Sequence, residues 1–124
     1  MGMQFIVATI LQVVVGLGLL NVWLLRPQSS TSYRGGDARS LKGEFAEYGL
    51  PEWMFYVVGA LKIGAAIALI VGIWIPALVA PAAAVVVVLM LGAVAMHVKV
   101  SDPWKKALPA FLVLLMSAAI LLLR

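Results

Sequence analysis

Hydrophobic residues lie in four long blocks along the chain, and short polar or proline-containing segments separate them. Each block is long enough to cross a bilayer as an α-helix. We therefore predict four transmembrane helices, at residues 3–25, 52–74, 77–98 and 103–123. The predicted fold class is all-α, a polytopic membrane protein with a single domain over residues 1–124.

The first connection, residues 26–51, is longer and more polar than the others. Within it, Leu41, Phe45 and Tyr48 recur at helical spacing, and most charged residues lie elsewhere. This pattern predicts a short amphipathic helix at the membrane interface. In the polar turn before the last span, Asp102 is predicted to cap the following helix.

Composition agrees with the membrane assignment, since 65% of the 124 residues are hydrophobic and only 11% are charged. Soluble domains are about half apolar and a quarter charged. The net charge of +4 does not indicate nucleic acid, because no basic helix or aromatic platform accompanies it. We expect a lipid bilayer as the partner and no nucleic acid.

Seven basic residues lie on the side of the bundle that holds the two polar loops, and one lies on the side of the termini. The seven are Arg26, Arg34, Arg39, Lys42, Lys99, Lys105 and Lys106; the one is Arg124. Cytoplasmic loops carry an excess of Lys and Arg. We therefore expect both polar loops in the cytoplasm and both termini outside.

The residue types available for redox or metal chemistry are few. The chain has no cysteine, one histidine and five acidic residues. Cysteine-ligated iron–sulfur clusters are excluded, and a self-contained metal site is not expected. With no haem ligand pair and no flavin motif, the chain would not carry electrons alone. We expect no covalently bound cofactor.

Lys62 lies near the middle of the second span, roughly 15 Å below the polar-loop face at about 1.5 Å per residue. A charge at that depth is costly, so we expect the ammonium group to face the bundle interior. The expected partner is Gln12, a backbone carbonyl, water or a ligand. The carboxylates Glu44, Glu47 and Glu52 reach Lys62 only if their segment dips inward.

Two further polar residues are candidates for the same interior. Gln12 on the first span lies roughly 20 Å below the polar-loop face by the same rise per residue. His97 lies near the end of the third span, at interface depth, and we do not expect it to contact Lys62 directly. In the simpler interpretation, Gln12 joins helices, His97 is an interfacial side chain and Lys62 is a structural cation.

Small residues recur every fourth position along the second span, on the face nearly opposite Lys62. This ladder consists of Ala60, Gly64, Ala68 and Gly72. Such ladders allow two membrane helices to approach closely. We expect it to pack against a neighbouring helix, another membrane subunit or a second copy of the chain in a homo-oligomer.

Four short segments resemble the DoxX-like family of small four-helix membrane proteins. They are Glu-Phe-Ala-Glu-Tyr-Gly-Leu-Pro at 44–51, Val-Gly-Ala-Leu-Lys-Ile-Gly-Ala at 58–65, Trp-Ile-Pro at 74–76 and Ala-Met-His at 95–97. The resemblance implies an up-and-down bundle, and the expected location is a bacterial inner membrane. Named relatives resemble subunits of quinone-linked oxidoreductases, including a thiosulfate:quinone oxidoreductase, and some eukaryotic relatives act as assembly or trafficking factors.

These observations favour an accessory subunit of a membrane oxidoreductase system that binds a quinone or similar lipid-soluble ligand near Lys62. The candidate pocket has three polar donors and three apolar walls: Lys62, Gln12, His97, Met90, Phe55 and Trp53. One alternative is a non-catalytic assembly or chaperone-type partner. Another is a small membrane enzyme or transporter for a hydrophobic substrate, with Lys62 as general acid or base. No catalytic residue is assigned.

Overall fold

The computed structural model describes residues 2–25, 35–36, 38 and 40–124. These residues form five α-helices: α1 (Met3–Leu20), α2 (Leu41–Glu47), α3 (Glu52–Val71), α4 (Val79–Lys99) and α5 (Trp104–Leu123). Helix α1 continues through a π-helical stretch, Asn21–Leu25. All except α2 are long and apolar enough to cross a membrane, which confirms the all-α class with four spans. The predicted loop residues 26–34, and the charged residues Asp37 and Arg39, lie outside the described residues.

The four long helices pack in a ring in the order α1, α3, α4, α5, and α5 returns to α1. This arrangement is an up-and-down four-helix bundle. The guanidinium carbon of Arg124 lies 5.3 Å from the centre of the Phe5 ring, so both termini lie at the same end of the bundle. We call the opposite end, which holds α2 and the turn between α4 and α5, the loop end.

The main core contains small and branched side chains from all four spans. Ala66 and Ala83 are fully buried within it, and such small residues allow membrane helices to pack closely. Helices α1 and α3 meet at Gly16, where an added Cβ would lie 2.7 Å from Ile70 Cγ1. Close packing between these spans therefore depends on the absence of a side chain at Gly16.

Helix α3 ends at Val71, three residues before the end of the predicted second span. The backbone N–H groups of Ile73 and Trp74 bond three residues back, to Ile70 and Val71, instead of four. This tightening leaves the carbonyl of Leu69 without its usual helical donor, as is common at helix C-termini. The next segment is a short 3₁₀-helix, Pro76–Leu78, which leads into α4.

An aromatic cluster fills the loop end, where α2 packs against the bundle. The Trp23 ring stacks on Phe55 with centroids 5.4 Å apart and meets the edge of Phe45 at 6.2 Å. Gly59 makes room for it, since a Cβ there would lie 2.7 Å from Trp23 Cζ3. Phe45 and Tyr48 are both buried, so the apolar face of the predicted amphipathic helix packs into the bundle.

Candidate functional site

A partly open cavity of about 520 Å³ lies at the loop end, lined by residues from all five helices and the π-helical stretch. We call it the loop-end cavity. Its walls are mostly apolar, and the apolar residues include Met54, Val58, Met90, Ala93, Met96 and Val113. One acidic and three basic residues also line it: Glu44, Lys62, His97 and Lys106. An apolar cavity with a few convergent polar groups is the usual form of a small-molecule site.

Lys62 lies in this cavity against an aromatic face. Its ammonium nitrogen is 5.1 Å from the centre of the Trp23 ring, which is a cation–π distance. Glu44 lines the same cavity and interacts electrostatically with Lys62. Glu44 lies there because α2 packs against the bundle. The sequence analysis expected Glu44 to reach Lys62 only under that condition. The mid-span lysine therefore has an aromatic ring and an acidic residue as neighbours.

His97 is only 7% exposed and lines the cavity. Its Nδ1 atom lies 2.7 Å from Oδ2 of Asp102, whose side chain is only 4% exposed. The edge of the ring also meets Tyr48, with centroids 5.9 Å apart. His97 is therefore fixed in orientation by a buried carboxylate on one side and by an aromatic ring on another.

The structure shows that the predicted role of Asp102 as a helix cap is wrong. Helix α5 begins at Trp104, and its N-cap is Pro103, with no side-chain hydrogen bond. The Asp102 carboxylate turns instead to Gly36, whose backbone N–H donates to both oxygens at 3.0 and 3.2 Å. Gly36 has a φ of +54°, a left-handed conformation that glycine adopts without strain.

Two lysines complete the link between α2 and the turn that joins α4 to α5. Lys106 donates to the carbonyl of Gly36 and lies 3.8 Å from Asp102 Oδ1. Lys99 donates to the carbonyl of Tyr48 at 2.7 Å. The chain is thus tied to this turn both before and after α2. These bonds hold α2 over the loop-end cavity.

Three of the six candidate pocket residues come together in the cavity: Lys62, His97 and Met90. The other three do not line it. Phe55 packs behind Trp23, and Trp53 is 63% exposed on the outside of the bundle. Gln12 is fully buried and donates to the carbonyl of Leu69 at 2.9 Å, about two helical turns along α3 from Lys62. Gln12 therefore satisfies the carbonyl that the end of α3 leaves free.

The small-residue ladder divides between two environments. Ala60, Gly64 and Ala68 line a shallow outer groove of about 320 Å³ between α3 and α4, and an added Cβ at Gly64 would meet no atom within 4 Å. Gly72 instead lies inside the bundle, where a Cβ would be 2.6 Å from Val79 Cγ2. Three of the four ladder residues are thus free to contact something outside this chain.

The sequence analysis did not identify Trp23 or Lys106 as site residues. It expected Glu44 near Lys62 only if the first connection packed against the bundle. A tryptophan near the end of a span is ordinary at a membrane interface, so Trp23 carried no distinct signal. Glu44 lines the cavity because α2 packs against the bundle, whereas Lys106 lies on α5 and contacts Gly36 and Asp102. In the part of the chain that the structure describes, no three acidic or histidine side chains are grouped to hold a metal ion.

A family model described as the DoxX-like family matches residues 34–120, which is more than half of the chain. The chain belongs to the DoxX-like family. The matched region of this DoxX-like protein contains Lys62, His97 and Asp102, whereas Trp23 precedes it. No curated protein and no solved structure matches the chain. Family membership and the four apolar spans together make it an integral membrane protein.

Proposed function

We propose that this DoxX-like protein is an accessory subunit of a membrane oxidoreductase system and binds a quinone or similar lipid-soluble ligand in the loop-end cavity. The observation that carries the proposal is the position of the Lys62 ammonium over the Trp23 ring, inside an apolar cavity between the spans. A quinone has a flat ring, two carbonyl acceptors and an apolar tail. Each part has a matching surface in this cavity.

The volume and the lining residues of the loop-end cavity suit a quinone. The volume of about 520 Å³ lies within the usual range for small-molecule sites. The Lys62 ammonium has three N–H donors, so it can stay over the Trp23 ring and also donate to a ligand carbonyl. Methionine side chains such as Met90 and Met96 adapt easily to a flat ring or a branched tail.

The accessory role follows from the residue types in the chain. With one histidine and no cysteine, the chain has few of the ligands that hold a haem or an iron–sulfur cluster. Another subunit would therefore carry electrons to or from the quinone. We also propose that the loop end faces the cytoplasm, because four of the described basic residues lie there: Lys42, Lys99, Lys105 and Lys106.

The proposal is tested by titrating the purified protein in mild detergent with a benzoquinone that carries one isoprenoid unit, using calorimetry. Lys62→Leu removes a charge-assisted hydrogen bond, and we expect the affinity to fall at least about tenfold. Lys105→Leu is the matched control, since Lys105 is exposed and does not line the cavity. No binding by the wild type, or equal affinities of the wild type and Lys62→Leu, would contradict the proposal.

A second candidate function is that of a non-catalytic partner that packs against another membrane helix. It is favoured by the outward-facing ladder, where an added Cβ at Gly64 would lie more than 4 Å from every atom of the described neighbouring residues. Gly64→Leu fills the outer groove while leaving the bundle contacts intact. We expect native mass spectrometry to show that this variant no longer forms a complex with a partner subunit. Its affinity for quinone, measured by calorimetry, should equal that of the wild type. Unchanged complexes in Gly64→Leu would count against the partner role.

A further inference from the structure

One nitrogen of the His97 ring is engaged and the other is available. Nδ1 lies 2.7 Å from Asp102 Oδ2, inside the protein. His97 lines the loop-end cavity, and within the described residues its Nε2 has no hydrogen-bond partner. Nε2 is thus the atom through which His97 can meet a ligand.

Asp102 determines which of the two nitrogens carries the proton. Its two oxygens accept from the Gly36 N–H, and the Lys106 ammonium 3.8 Å away supplies a compensating charge. An ionised carboxylate only accepts hydrogen bonds, so Nδ1 of His97 must be the donor of the 2.7 Å bond. In the neutral ring, Nε2 then has a lone pair and no proton. His97 therefore presents an acceptor to the cavity.

We infer that His97 accepts a hydrogen bond from a ligand hydroxyl, so that the loop-end cavity prefers the reduced, hydroxyl-bearing form of a quinone, with Asp102 as a positioning residue. The inference rests on the proposed function. A quinol has two hydroxyl groups, and each can both donate and accept. One donates to Nε2 of His97, and the other accepts from the Lys62 ammonium. The quinone form has no donor and leaves Nε2 without a partner.

The test compares two probes that differ only in oxidation state: a hydroquinone with one isoprenoid unit, kept reduced under argon, and its quinone. Both are titrated calorimetrically in the same mild detergent and the same buffer. We expect the wild type to bind the hydroquinone about tenfold more tightly than the quinone, the effect of about one hydrogen bond.

Asp102→Asn provides a result that a merely structural role would not produce. The amide oxygen still accepts from Gly36, and the amide nitrogen then faces Nδ1 of His97 as a donor. The ring proton moves to Nε2, which becomes a donor toward the cavity. We expect the preference to disappear in this variant, because a hydroquinone hydroxyl and a quinone carbonyl can both accept from the Nε2–H group.

Equal wild-type affinities for the two probes would overturn the inference, as would an equal loss of both affinities in Asp102→Asn. In either case the proposed function stands, because ligand still binds. If neither probe binds the wild type, the proposed function fails as well. If Asp102→Asn does not fold, His97→Phe replaces it in the test, because this variant keeps an aromatic ring but has no ring nitrogen. We expect it to abolish the tenfold preference, and persistence of the preference in this variant would also overturn the inference.

Discussion

Gly59 and Gly64 lie on the same helix, α3, but differ in what surrounds them. An added Cβ at Gly59 would lie 2.7 Å from Trp23 Cζ3 and 2.9 Å from Cε3, whereas one at Gly64 would meet nothing within 4 Å. Trp23 cannot retreat easily, because Phe45 and Phe55 pack against its ring. Replacing each glycine with alanine therefore tests how tightly the aromatic cluster is packed.

The expected magnitude comes from two opposing effects. Each substitution adds the same methyl group and gains about 0.8–1 kcal/mol of helix propensity. At Gly59 the crowding of Trp23 adds a cost of about 1–3 kcal/mol, typical of overpacked sites. The propensity gain cancels when the two variants are compared. We therefore expect Gly59→Ala to have a free energy of unfolding about 1–3 kcal/mol below that of Gly64→Ala.

The free energies of unfolding can be measured by titrating the protein with SDS in mixed micelles and following its circular dichroism. Gly59→Ala should also weaken quinone binding, because a displaced Trp23 ring no longer lies under the Lys62 ammonium. Gly64→Ala should keep the wild-type affinity. Equal free energies of unfolding for the two variants would refute the tight packing of Trp23 against α3.

Two further predictions concern the buried polar groups. Asp102→Ala leaves the buried Nδ1 donor of His97 without its acceptor, and we expect a loss of about 1–3 kcal/mol of unfolding free energy in the same SDS titration. The control Lys42→Met changes an exposed side chain and should alter stability little, and a similar loss in both variants would argue against the buried cluster. Gln12→Leu leaves the buried carbonyl of Leu69 without a donor, so we expect a loss of about 1–3 kcal/mol of unfolding free energy and unchanged quinone affinity by calorimetry. Weaker quinone binding in Gln12→Leu would contradict the position assigned to Gln12.

Most of the fold was predictable because the bilayer limits both the length and the composition of a spanning helix. Four apolar blocks therefore predicted four spans, and the structure confirms them. The end of α3 was harder to predict. The N–H groups of Ile73 and Trp74 bond three residues back instead of four, although the residues remain apolar up to Trp74. Hydropathy records the depth of a residue in the membrane, but not the geometry of the backbone there.

The site was predictable only in part. Lys62 was identified because a charged side chain in the middle of a membrane span is energetically costly, and the structure places it in the cavity. The predicted depth of Gln12 is comparable to that of Lys62, but Gln12 does not line the cavity. Depth in the membrane does not reveal which neighbouring helix a side chain faces. The role of Asp102 depends on Gly36, which is 66 residues away in the chain. No local pattern encodes such a contact, so the sequence suggested a helix cap instead.

The central claim, that a quinone-like ligand binds between the spans beside Lys62, is tested most directly by the fluorescence of Trp23. Trp53, Trp74 and Trp104 are exposed, so replacing all three with phenylalanine leaves Trp23 as the single emitter. A matched variant retains only Trp74. Titration with the one-isoprenoid quinone should quench Trp23 along a saturating curve that Lys62→Leu shifts to higher concentration. Trp74 should be quenched only in linear proportion to the added quinone. Linear quenching of Trp23, unaffected by Lys62→Leu, would contradict the claim.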